Sequence, residues 1–487
     1  MRTAAVAFLL STAVAAGLTP LLRAFARQRG LLDHALTARK IHGRPVPRLG
    51  GLAIVAAFYA PIAGLFLIDQ GTGMGRILLA DQTRALALLG GGLCVAALGL
   101  YDDLRGAGAF LKFGVQVCVA MALWKLGFRI EHLATPFGAP VPLGSLALPI
   151  TVLWMVGVVN AMNLIDGLDG LAGGVALFAL GTTFAIAFVR GEAIMALFAA
   201  ALSGGVVGFL FYNFNPASIF MGDTGSMFLG FVLAASSIWT NQKSSTAVAL
   251  IVPVVALGLP IADTVLAIAR RALHGRPLFS ADKEHIHHRL LALGLSQRQA
   301  VMVLYGACTL LGLSALVLSY ANSAQTALVL SALSVVGFFA VRKLGVLQRP
   351  GPAPQPARTA RAAVRELSAR LFEAQSQAQL WEASRPFAQA VGAARMSLAV
   401  HSPREHGERV TTLWQLGEGP CSLETAFAVG DDAGRLELGF ADGRTQLERD
   451  QEIASELLCD HLAEALERLF PRAQSQVIQL PGREKRK

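Results

Sequence analysis

Long apolar runs are the feature that most constrains this chain. About eleven of them lie near 3–22, 49–68, 86–101, 110–127, 146–163, 170–189, 193–212, 224–240, 246–268, 299–320 and 323–342. A helix needs about 20 apolar residues to cross a bilayer, and most of these runs reach or approach that length. The chain is 54% hydrophobic and only 15% charged, against roughly 25% charged in an average soluble domain. That balance excludes a single soluble globular protein and a disordered chain. The expected fold is an all-α polytopic membrane protein of about eleven transmembrane helices, followed by a small C-terminal cytoplasmic α+β domain.

Basic residues give the orientation, because short loops rich in Lys and Arg stay in the cytoplasm. The loop at 23–48 holds Arg23, Arg27, Arg29, Arg39, Lys40, Arg44 and Arg48, and the loop at 269–298 holds Arg270, Arg271, Arg276, Lys283, Arg289 and Arg298. Loops of the other set hold few, among them Arg76, Arg84, Arg129 and Lys243. The first apolar run carries its basic residues behind it rather than in front, unlike a signal peptide, and is expected to remain as a helix. The net charge of +10 is therefore assigned to cytoplasmic loops, and no nucleic-acid partner is expected. Five scattered cysteines without a CxxC pair give neither a disulfide framework nor a zinc site.

The composition changes after Arg342. Four segments are expected: a membrane domain over 1–345, a Pro-rich linker over 346–358, a cytoplasmic α+β domain over 359–472 and a basic tail over 473–487. Within the third, helices are predicted over 359–380 and 383–392. Strands are predicted over Met396–Val400, Val410–Leu416, Ser422–Val429 and Arg435–Phe440. A closing helix over 446–470 would place Leu457, Leu458, Leu462, Ala465 and Leu466 on one face.

Polar side chains beside membrane spans are costly and usually mark a site. Asp102 and Asp103 end the third run; Asn160, Asn163, Asp166 and Asp169 follow the fifth in NAMNLIDGLDGLAGG. Asn213, Asn215 and Asp223 lie between the seventh and eighth, and His285, His287, His288 and Arg289 between the ninth and tenth. Each group alone also reads as a helix cap or a solvated turn. The charge rule, which shares only Arg289 with these groups, puts all four on the cytoplasmic side. Hard oxygen ligands with nearby Lys, Arg and His suit magnesium and phosphate. There is no Walker A sequence. Phosphoryl transfer at the membrane surface is the chemistry expected, against two competitors: a transporter with charged helix ends, and an anchored sensor.

Five motifs recur in order: DHALTARKIHGRPVPRLGG, YDD with Lys112 nine residues after its second Asp, NLIDGLDGL, NPASIFMGDTGS and ADKEHIHHRL. Over residues 1–342 the chain resembles the polyprenyl-phosphate N-acetylhexosamine-1-phosphate transferases, with Ala35 where many members have proline. The resemblance implies a magnesium-dependent enzyme, with manganese as a substitute ion. It would move a sugar 1-phosphate from a UDP-sugar to a polyprenyl phosphate and release UMP. It implies Asp102, Asp103 and Lys112 as catalytic, and Asn163 and Asp223 as metal ligands. Substrate would be bound by Lys40, His42, Asn160, Asp166, Asp169, His285, His287, His288 and Arg289. Ile286 interrupts the histidine run, which resembles the N-acetylglucosamine branch, so UDP-N-acetylglucosamine is the first choice of donor. The alternative is phospho-N-acetylmuramoyl-pentapeptide transfer. A homodimer in the bacterial cytoplasmic membrane is implied, with the active site facing the cytoplasm. The strand order before the final helix resembles GAF-like sensory domains, which implies a small-molecule effector.

Overall fold

The computed structural model describes residues 2–33, 46–68, 73–133, 141–242, 251–273, 285–345, 364, 366–403, 409–417, 419–430, 434–442, 447 and 449–469. Lys40 and His42, the linker 346–358 and the tail 473–487 lie outside the described residues. The chain divides into two compact units, Met1–Leu347 and Gln348–Lys487.

The first unit is a helical bundle: α1 Arg2–Gln28, α2 Gly51–Ile68, α3 Gly73–Ala80, α4 Gln82–Arg105, α5 Ala109–Lys125, α6 Ala147–Ile165, α7 Leu171–Val189, α8 Ala193–Asn213, α9 Gly222–Gln242, α10 Ile251–Ala256, α11 Gly258–Leu273, α12 Ile286–Ala292, α13 Gln297–Leu318 and α14 Ser323–Leu344. Among the described residues, seven helices are long and apolar enough to cross a membrane: α1, α4, α6 with the turn before it, α7, α8, α13 and α14. This is a multi-pass membrane protein. The remaining apolar runs are helical too. α2 has 18 residues, α5 has 17, and α9 lines its buried length with Ser226, Ser236, Ser237 and Thr240.

The run at 246–268 is not one helix. It breaks at Leu257 between α10 and α11. Pro260 has no N–H to donate to the carbonyl four residues back and its ring crowds that carbonyl, so the ladder cannot run through. The short helix α3 lies in a stretch without an apolar run and escaped the sequence reading.

α9 is the axis of the bundle, packed by α2, α4, α6 and α7. In a membrane helices meet mainly through close packing of small residues. Gly99 of α4 faces the start of α9 so closely that a Cβ there would lie 2.5 Å from the Asp223 carbonyl oxygen. A second close approach lies beside it. The segment Val46–Gly51, after a two-residue antiparallel pairing of β1 Leu32–Asp33 with β2 Val46–Pro47, hydrogen-bonds along Phe220–Met221. Phe220 N donates to Pro47 O, Gly50 N to Phe220 O and Gly51 N to Met221 O. A Cβ on Gly51 would fall 2.2 Å from Gly225 N, so only glycine admits this contact.

A second short antiparallel pairing in the first unit joins β3 His132–Leu133 to β4 Val141–Pro142. The second unit holds a four-stranded antiparallel sheet of order β6-β5-β8-β7, from β5 Arg395–Pro403, β6 Arg409–Leu416, β7 Leu423–Val429 and β8 Gly434–Phe440. Alternation with period two buries Met396, Leu398, Val400, Leu436, Leu438 and Phe440 on one face. These residues share a core with Ala454, Leu458, Leu462 and Leu466 of the closing helix Arg449–Leu469. Leu457 does not join them: it is 40% exposed, because it sits about 100° round the helix from Leu458. The predicted helix 359–380 is also interrupted. Helical residues 366–373 stop before Ser376, which caps a new helix, Gln377–Ser384, by accepting from Gln379 N.

Candidate active site

The residues of the YDD and MGDTGS motifs meet at one end of the bundle. Asp102 and Asp103 stand in the last turn of α4, Lys112 in the first turn of α5 and Asp223 in the first turn of α9. Helix ends leave backbone groups unpaired, and side chains there become both caps and ligands. Asp102 Oδ1 accepts from Ala107 N, which tightens the turn into α5. Its Oδ2 lies 2.8 Å from Lys112 Nζ. Lys112 Nζ also lies 2.7 Å from Asp223 Oδ2, so one ammonium bridges two carboxylates that are 121 residues apart in sequence.

Asp103 has a different part. Its Oδ1 accepts from Asp223 N at 2.8 Å, and its Oδ2 from Thr224 N at 2.9 Å and from the Thr224 hydroxyl at 2.6 Å. Both oxygens are used in holding the start of α9. A carboxylate at a helix N-terminus also interacts favourably with the helix dipole.

Asn163, near the end of α6, donates to Ser226 Oγ at 3.0 Å, one turn into α9. Among the described residues its amide oxygen takes no side-chain hydrogen bond. Asn160 is placed less favourably for substrate: its amide nitrogen donates to Gln116 Oε1 at 2.7 Å and to Val156 O at 2.8 Å. Its amide nitrogen is thus taken up within the bundle by Gln116 and Val156.

The turn 166–170 connects α6 to α7. Asp169 Oδ2 accepts from Asn215 Nδ2 and from Ala217 N. Asn213 Oδ1 accepts from Gly170 N, and Tyr305 donates its hydroxyl to Gly170 O at 2.6 Å. Asp166 is half-buried and its carboxylate makes no hydrogen bond among the described residues. Withdrawal from water, reinforced by the charges of Asp223, Asp103 and Asp169, pushes its pKa up to about 7.

His287 closes the turn from the other side. A Cβ on Gly167 would lie 2.4 Å from His287 Nε2, so the imidazole rests on the backbone of the NLIDGLDG turn. Burial, and then the neighbouring His288, lower the His287 pKa to about 3, which keeps the ring neutral. His287 Nδ1 is buried and has no hydrogen-bond partner among the described residues. His285 and His287 have nearly parallel rings with centroids 5.7 Å apart, and His288 is tilted against His287 at 4.3 Å. Arg289 follows on α12.

Thus Asp102, Asp103, Lys112, Asn163, Asp223, Asp166, Asp169 and the histidine segment form one connected surface. Sequence reasoning missed Thr224, Ser226, Gln116, Tyr305 and the Gly50–Gly51 contact, whose partners are distant in sequence. It also missed Asp263, which is buried in α11 beside His285. A lone acid inside the apolar run 246–268 was the available signal.

Among the described residues, no three His, Cys, Asp or Glu side chains are grouped tightly enough to cage a metal ion. Hard oxygens from Asp223 and Asn163 beside Asp102 and Asp166 suit an ion that takes few protein ligands and fills its shell with water and phosphate, as magnesium does.

Residues 85–241 match the profile of glycosyl transferase family 4. A Bacillus subtilis (strain 168) protein named "probable undecaprenyl-phosphate N-acetylglucosaminyl 1-phosphate transferase" is 39% identical over 318 residues, covering 65% of this chain and 85% of its own. The chain belongs to glycosyl transferase family 4. A Mycolicibacterium smegmatis decaprenyl-phosphate N-acetylglucosaminephosphotransferase is 36% identical over 339 residues, 64% of this chain and 81% of its own. A Staphylococcus aureus phospho-N-acetylmuramoyl-pentapeptide-transferase is 30% identical over 283 residues, 55% of this chain and 83% of its own. The family match spans α4 to α9 and so includes the Asp102–Lys112–Asp223 bridge.

Proposed function

We propose that this glycosyl transferase family 4 member moves N-acetylglucosamine 1-phosphate from UDP-N-acetylglucosamine to a polyprenyl phosphate and releases UMP. The observation that carries the reading is the Lys112 ammonium between Asp102 and Asp223 at the ends of apolar helices. It supports a phosphate-binding role for this helix end, where a lipid headgroup and a soluble nucleotide would meet. The N-acetylglucosamine-type relatives match at 39% and 36% identity and the pentapeptide transferase at 30%, which favours the former donor.

Asp223 and the amide oxygen of Asn163 would hold magnesium. When bound, it neutralises diphosphate charge and stabilises the leaving UMP. The chain's own residues do the rest. A phosphate monoester has its second pKa near ~6 and is largely dianionic at neutral pH, so the acceptor needs orientation more than deprotonation. Lys112 attracts that phosphate as a point charge. Asp102 restrains Lys112, and Asp103 fixes the helix start on which Asp223 stands. The 166–170 turn and the His285–Arg289 segment face the nucleotide diphosphate and the sugar.

The basic-residue asymmetry supports eleven crossings, with the α10–α11 pair as one of them, and a site on the cytoplasmic face of a bacterial inner membrane. The second unit, four strands closed by a long helix, supports a GAF-like module that pairs two copies or senses a small effector.

The test uses the purified full-length chain in detergent with UDP-N-acetylglucosamine, magnesium and polyprenyl phosphate. UMP should appear only when the lipid phosphate is present, and Asp223→Asn should need far more magnesium for the little turnover it keeps. Release of UMP from UDP-N-acetylmuramoyl-pentapeptide alone would assign the other donor. No release from either would sink the transferase reading.

A further inference from the structure

Asp263 is 4% exposed and sits in α11, inside a run of otherwise apolar residues. A buried acid in such a place is costly unless it is paired. Its Oδ2 lies 3.0 Å from His285 Nδ1, and its Oδ1 accepts from the backbone N–H of Ile286 at 2.8 Å. An ionised carboxylate can only accept, so His285 carries a proton on Nδ1 and donates it to Asp263. The same carboxylate therefore sets a tautomer and pins the backbone where α12 begins.

What it pins matters because of the next residues. His285 is itself 5% exposed, and its ring runs parallel to that of His287. His287 is seated on Gly167, between Asp166 and Leu168 of the NLIDGLDG turn. A chain of contacts thus runs from Asp263 through His285 and His287 to the turn that carries Asp166 and Asp169.

We propose that Asp263 is the positioning residue that locks the His285–His288 segment onto the Asp166–Asp169 turn, and so sets the affinity for the nucleotide diphosphate of the UDP-sugar. The proposal rests on the transferase reading above. Asparagine would not replace the acid. With its oxygen kept on Ile286 N–H, its amide nitrogen would face His285 Nδ1 and force the proton to Nε2.

The experiment compares full-length wild type, Asp263→Asn and Asp263→Ala in detergent, each taken from a monodisperse size-exclusion peak. Asp263→Asn should raise the KM for UDP-N-acetylglucosamine by about tenfold or more, the scale of one lost charged hydrogen bond. The KM for polyprenyl phosphate should stay within about twofold, since a general loss of fold would not separate the two substrates. Histidine-selective 15N NMR, with the His285 signal assigned by its loss in His285→Gln, supplies a readout independent of turnover. Wild type should show the Nδ1–H tautomer and Asp263→Asn the Nε2–H tautomer. An unchanged KM in both variants, or an Nε2–H tautomer in wild type, overturns the proposal. A wild-type chain that releases no UMP removes the transferase reading instead, and the tautomer switch then decides whether Asp263 locks the segment. If Asp263→Ala does not fold, Asp263→Asn and wild type decide alone.

Discussion

Asp103 accepts a hydrogen bond from the backbone N–H of Asp223 at 2.8 Å, so the last turn of α4 holds in place the residue on α9 that is proposed to hold the metal. The two acids of the YDD motif therefore divide their work. Asp102 handles the Lys112 ammonium, and Asp103 acts through the position of Asp223.

Asp103→Asn should lower turnover by more than about tenfold at saturating UDP-sugar, because misplacing a ligand group costs the transition state most. The fold should weaken as well, by roughly 1 kcal/mol for a damaged helix cap. Steady-state UMP release together with a thermal melt reads both. Loss of affinity for UDP-sugar with unchanged turnover would contradict the division of labour.

Gly99→Ala offers a test in which helix propensity and packing disagree in sign. In a helix interior alanine is favoured over glycine by about 1 kcal/mol. Here the new methyl would lie 2.5 Å from backbone atoms of Asp223 and Thr224, which cannot rotate away. The variant should melt below wild type and lose most of its turnover. A rise in melting temperature with normal activity would show that α4 and α9 separate without consequence.

Asp166 gives a pH dependence. Its pKa is raised to about 7 in the folded chain, from roughly 3.9 when unfolded. Between those values the folded state binds more protons than the unfolded state, so this group's contribution to stability falls as pH rises. Asp166→Asn removes that loss. Its melting temperature relative to wild type should become more favourable from pH 5 to pH 8, measured with a chelator present. A difference independent of pH would show that Asp166 titrates normally.

Truncation after Leu347, the end of the first unit, should leave UMP release per molecule near normal, because the residues assigned to the chemistry precede it. Altered dimerisation or a lost effector response in the truncate would mark the second unit as regulatory. A folded but inactive truncate would show that the site is completed from beyond Leu347.

The legible parts of this molecule were those written in local pattern. Apolar length marked the helices, period-two alternation marked β5 to β8, and costly polar residues beside apolar runs marked most of the site. What escaped depends on contacts made at a distance. Asp102 and Asp103 are chemically identical neighbours, and only the position of α9 tells the lysine partner from the cap. Asn160 looks like Asn163 until Gln116 takes up its amide. Leu457 and Leu458 are both leucines in one helix, and the angle between successive residues decides which is covered. The break at Leu257 was written in Pro260, but an apolar run hides it from a reading by hydropathy.

The brevity of α5 bears on how the lipid reaches its partner. Seventeen residues rise only about 26 Å, short of the roughly 30 Å of hydrocarbon in a typical bilayer. A crossing helix that short is accommodated by local thinning of the surrounding leaflets. Lys112 lies in its first turn. On the proposed reading, the membrane surface dips beside Lys112, and a phosphate carried at that surface arrives at the depth of the ammonium. Reconstitution into thicker bilayers should then slow the reaction through the height of the water boundary, with every side chain in the site unchanged.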